Sequence, residues 1–148
     1  MIAMLLALQG PAAVVAPAPA PSSQPPVLGG IGQQSLPASG CAAFLWSSAG
    51  DRTLVAMATA TPAGLRLAID GRPPVDLVLT SGEGATSFGF PGSATYKAGE
   101  VTATLAMTIS NRSDLAAGAV VPEGALTVEL PGRDTVVQPV AGLIGCAT

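Results

Sequence analysis

The side chains of this 148-residue chain with the most distinctive chemistry are two cysteines, Cys41 and Cys146, and nine carboxylates, because it contains no histidine. Without imidazole, the usual general base and the commonest metal ligand are missing. Two cysteines alone leave a tetrahedral zinc half-coordinated, so no metal site and no cofactor is expected. What remains open to the cysteines is a bond to each other. It would close a loop of roughly 100 residues, worth about 4 to 5 kcal/mol of chain entropy, and such bonds persist in oxidising compartments. Cys41 and Cys146 are therefore read as a disulfide, in preference to two buried thiols that pack as small hydrophobes.

The carboxylates Asp51, Asp70, Asp76, Glu83, Glu100, Asp114, Glu123, Glu129 and Asp134 could in principle supply the acid and base of a glycoside hydrolase. Most of them sit in or beside turn residues, where a charge is solvated punctuation. Neither a Gly-x-Ser-x-Gly elbow nor a Gly-x-x-x-x-Gly-Lys phosphate loop occurs, and a paired cysteine offers no thiolate. No catalytic residue is expected. A net charge of −3 with only six Lys and Arg also argues against nucleic acid and anionic membrane surfaces as partners, since both demand a basic patch.

Two patterns point to binding. Phe88, Phe90 and Tyr96, three of the five aromatics, cluster in residues 82–96. They could form an exposed platform for a sugar or peptide, but rings at i and i+2 more often face a core. Thr102 with Thr104, and Thr59 with Thr61, resemble the threonine faces of ice-binding proteins, yet the chain has no internal repeat to extend such a face. Threonine on the wet side of a strand is ordinary β chemistry. Asn111-Arg112-Ser113 fits a glycosylation sequon, which matters only where secreted proteins are glycosylated.

The elements that would position these groups follow a period of two. In residues 101–109 the larger apolar side chains alternate with threonines, as a half-buried strand requires. Residues 65–70, 75–80 and 126–130 repeat the alternation, and 42–47, 53–59, 87–90 and 135–138 are further candidates. Asp70-Gly71-Arg72-Pro73-Pro74, residues 110–114, Pro122-Glu123-Gly124 and Pro131-Gly132-Arg133-Asp134 punctuate them. One helical turn could hide in residues 113–119. About eight short strands imply an all-β fold, a small antiparallel β-sandwich or alternatively a small β-barrel. With Cys41 before the first strand and Cys146 after the last, those two strands must be neighbours or face each other. Half the chain is hydrophobic (49%) and 3% is aromatic, so the core must be built from aliphatic side chains.

Residues 1–16 read as a secretory signal, although no Lys or Arg precedes the apolar run. An uncleaved anchor is the alternative, but Gln9-Gly10-Pro11 interrupts the roughly 20 apolar residues a span needs. Only an uncleaved segment would bring the chain to a membrane. Ala38-Ser39-Gly40-Cys41 has the small residues of a lipid-attachment box but lies far from that run. Residues 17–39, rich in Pro, Ala, Ser, Gln and Gly, read as a disordered, polyproline-like tether, and residues 40–148 as the folded domain. The expected function is that of a secreted or periplasmic, non-catalytic module binding a protein or a glycan. A self-associating structural subunit of the cell envelope is the alternative, and an enzyme of unknown reaction comes third.

Overall fold

The period-two segments become strands in the computed structural model, which describes Gly10, residues 24–115 and residues 117–147. In chain order they are β1 (Leu28–Gly29), β2 (Cys41–Ser47), β3 (Leu54–Ala60), β4 (Ala63–Ile69), β5 (Val75–Ser87), β6 (Phe90–Ala98), β7 (Val101–Ser110), β8 (Gly118–Glu129) and β9 (Val136–Cys146). The expected signal segment, Gly10 apart, and residues 17–23 of the tether lie outside the described residues.

Every strand from β2 to β9 pairs antiparallel with the next one in sequence, and β9 returns to pair with β2. The result is a closed eight-stranded up-and-down barrel with β1 added at its rim. The two-sheet sandwich, expected first, gives way to the barrel alternative. Its links explain this. Two residues join β3 to β4, β5 to β6 and β6 to β7, so these strands can only pair with their sequence neighbours as hairpins, and the β2–β9 and β4–β5 pairings close the meander, leaving the far half of β5 without a second neighbour. The closing seam spans all of β2, from Cys41↔Cys146 to Ser47↔Val140.

The interior is filled by aliphatic side chains, with Leu45, Leu65, Leu67, Leu77, Leu105, Leu126, Val128 and Val140 fully buried around Tyr96 and Phe90. In β8 the buried positions change from Ala119 and Val121 to Leu126 and Val128, that is, from odd to even. A bulge between Val121 and Gly124 supplies the extra residue that makes this possible. Pro122-Glu123-Gly124, expected to precede a strand, is therefore inside one. The helical turn expected in residues 113–119 is replaced by a turn and the first residues of β8, where Ala117 accepts a hydrogen bond from the Cys146 amide at 2.9 Å. Residues 87–90, expected to be a strand, form the two-residue turn into β6, with Phe88 (φ 55°) and Gly89 (φ 85°) both left-handed.

Part of the segment expected to be a free tether lies along the barrel wall. Leu28–Gly29 pairs with Ile69 and Ala68 at the end of β4, and the Ile31 amide donates to the Leu54 carbonyl at 2.9 Å. Ile31, 5% exposed, packs with Ala42, Met57 and Ala68 in a second apolar cluster outside the barrel. Proline density forbids helix and sheet interior, but it leaves an extended chain free to lie on an apolar wall.

Candidate binding site

The two cysteines face each other in register at the end of the seam, with Cα atoms 4.0 Å apart, and are bonded. First and last barrel strands are neighbours, one of the two arrangements the sequence allowed. The bond points to an oxidising compartment.

The carboxylates are dispersed. Asp76 bonds the Arg66 guanidinium at 2.7 Å, Asp114 bonds Arg112 at 3.2 Å and Asp70 pairs with Arg133. Asp70 and Glu100 share a rim cleft of about 280 Å³ with Arg72, Arg133, Val75 and Leu130. Asp70 is already engaged there. It takes Arg133 and the Val27 amide (3.0 Å), and Arg133 also donates to the Gln24 carbonyl at 3.1 Å and the Pro25 carbonyl at 3.3 Å. The Arg133 hydrogen bond and then the Val27 amide hold the Asp70 carboxyl below its ordinary range. This clasp fastens the N-terminal strap to the barrel rim. Asp51 lies in the β2–β3 loop, Glu83 on β5, Glu129 on β8 and Asp134 in the β8–β9 turn. Glu123 lines a shallow outer depression with Met107 and Thr108. Among the described residues no three Cys, Asp or Glu side chains gather where they could hold a metal ion.

The aromatic segment does not form a platform. Phe90, 1% exposed, and Tyr96 are core residues, and Phe88 is half-buried against the same cluster. Thr104 stands in register between Thr95 and Thr127, with Thr102 two residues along its own strand. Thr59 and Thr61 lie at the β3–β4 turn, four strands away in the sheet order, and Thr59 donates to the Pro62 carbonyl at 2.9 Å. The two threonine pairs are not brought together.

Sequence reasoning passed over Trp46. Alternation places it on the outer wall, because its neighbours Leu45 and Ser47 are buried and Leu45 faces the lumen. It is half-buried yet packs with neither apolar cluster. Instead it lines an open cleft of about 500 Å³ with Ser47, Ser48, Arg52, Ala141 and Gly142. Across the seam Trp46 stands in register with the small Ala141, and the next residue, Gly142, has no room for a side chain because a Cβ there would collide with the Phe44 carbonyl. The rim is tied down. Ser47 donates its hydroxyl to the Ala49 carbonyl at 2.7 Å and its amide to Thr53 at 2.8 Å, the Ser48 amide reaches Pro139 at 3.1 Å, and Gln138 donates to the Ser47 hydroxyl at 2.9 Å. Among the described residues Arg52 makes no ion pair. A lone tryptophan gives no periodic signal, and its place outside both cores is set by the strand register of the closed barrel.

A further groove on the outer wall, of about 450 Å³, lies where strap residues Ser35 and Pro37 meet Met57, Gly64, Arg66, Asp76 and Val78. Its two charges neutralise each other. Compared with family models, with curated proteins and with solved structures, the chain matches none of them.

Proposed function

We propose that this chain is a non-catalytic binding module of the periplasm or the extracellular space, and that it meets a glycan or a protein through its outer wall at Trp46. The carrying observation is the placement of that residue. A large ring outside both cores, in register with small Ala141 and beside a guanidinium that makes no ion pair among the described residues, has the composition of a contact surface. The lumen is occupied by side chains, so a ligand is met on the outside. The disulfide supports the compartment, and a single bond across the seam suits a small domain that must persist outside the cell.

Trp46 is the chain's only tryptophan, so intrinsic emission reports this cleft alone. The test is a printed glycan array together with purified envelope proteins, probed with wild type and Trp46→Ala. Binding that shifts the emission and is lost in the variant supports the reading. Binding that survives Trp46→Ala overturns it.

The alternative of a self-associating subunit draws on one observation. Beyond Val78, β5 pairs only with β6, so residues 79–87 present an open strand edge. That edge is interrupted by register shifts at Leu79/Ser81 and Glu83/Thr86, devices that discourage strand addition. Concentration-dependent size in sedimentation would favour the assembly reading, and a constant monomer mass the module.

A further inference from the structure

We infer that the Trp46 cleft takes a saccharide bearing a carboxylate, an inference that rests on the binding-module reading and names its ligand class. The argument is one of charge and shape. The rim cleft holds Asp70 and Glu100 against Arg72 and Arg133, the strap groove holds Asp76 against Arg66, and the depression at Met107 has Glu123 as its only charge. The Trp46 cleft is lined by Arg52 and by no acid. In a chain of net charge −3, it is the one of these four clefts with a net positive lining.

Shape narrows the ligand further. The bare Ala141–Gly142 terrace beside an indole admits a flat, weakly apolar object such as the C–H face of a pyranose ring. An apolar peptide side chain would find no pocket wall there to bury it. The exposed Ser48 hydroxyl offers a hydrogen bond to a ring hydroxyl, while Ser47 is occupied in holding the cleft's rim. Arg52 supplies the planar fork that matches a carboxylate with two parallel N–H donors. A nucleic acid strand would need several cations in line, and the cleft has one.

The experiment titrates Trp46 emission with an oligogalacturonate tetrasaccharide and with its fully methyl-esterified form, in which each carboxylate is replaced by an uncharged ester on the same sugar backbone. Acid binding is expected to be saturable and at least about tenfold tighter than ester binding, the range of a charge-assisted hydrogen bond. Arg52→Gln should remove that difference and leave the melting temperature unchanged. Equal affinity for acid and ester, both lost in Trp46→Ala by calorimetry, overturns the carboxylate inference while the module reading stands. No binding of either sugar, with a protein or neutral glycan recognised at Trp46 in the array, overturns the inference alone. No ligand at Trp46 in any arm overturns both.

Discussion

Replacing both cysteines by serine removes a bond that closes a loop 105 residues apart in sequence. In the chain-entropy account this is worth about 4.7 kcal/mol, all of it in the unfolded ensemble. The native seam does not depend on the bond for its geometry, because β2 and β9 are in register over the whole length of β2. Cys41→Ser/Cys146→Ser should therefore still fold, yet be less stable by about 2 to 5 kcal/mol. That loss is large against the roughly 10 kcal/mol expected of a domain this size. Urea unfolding followed by Trp46 emission measures it. A loss below about 1 kcal/mol would show that the unfolded chain is not constrained by the bridge, because residual structure already holds its ends together. Two reactive thiols in the denatured, unreduced protein would refute the bond itself.

Other outcomes follow from the same geometry. Gly142→Ala should cost about 2 kcal/mol or more, because its Cβ meets the Phe44 backbone, whereas Gly29→Ala, with nothing within 4 Å, should barely move the melting temperature. Arg133→Met should leave global stability nearly unchanged but speed hydrogen exchange at the Val27 and Ile31 amides, since the clasp holds Gln24, Pro25 and Val27. Asp70 carries a folded-state pKa below its unfolded value. Its contribution is thus present above the unfolded pKa of about 3.9 and is lost as pH falls through the lower folded value. Strap exchange in the wild type should accelerate in that acid window, and Asp70→Asn should exchange fast at every pH.

Strand identity was legible wherever one face is wet. Residues 101–109 alternate cleanly and become β7 almost residue for residue, and residues 75–80 start β5 where expected. The unread strand of the barrel was β6, whose Pro91 and Gly92 look like loop chemistry. They are tolerated because both lie in the stretch before Ser93, where β6 pairs only with β5. Pro122 misled in the same way, at a bulge, and the strand expected over residues 135–138 runs on through Pro139 to Cys146. The disulfide was legible because spacing and absence of other cysteines left few choices. Trp46 was not, because whether a lone ring faces lumen or solvent depends on a register that only the closed barrel fixes.

The order of pairing in this barrel also dictates an order of events. Seven of the eight wall contacts join strands that are adjacent in sequence, so each hairpin can zip as soon as its second strand is available, at small loop-closure cost. The eighth, the seam, joins residues 41–47 to residues 140–146 and must wait for the whole barrel sequence. Until then the growing sheet has two raw edges, β2 and whichever strand came last, and it is in that interval that the chain is most exposed to pairing with a neighbour. A chain stopped before residue 136 is in this sense a different object from a slightly shortened barrel: an open sheet that cannot close, with Cys41 as an unpaired thiol at its edge. A holdase acting on this protein would have its work concentrated in that window, after β8 has docked and before β9 has arrived.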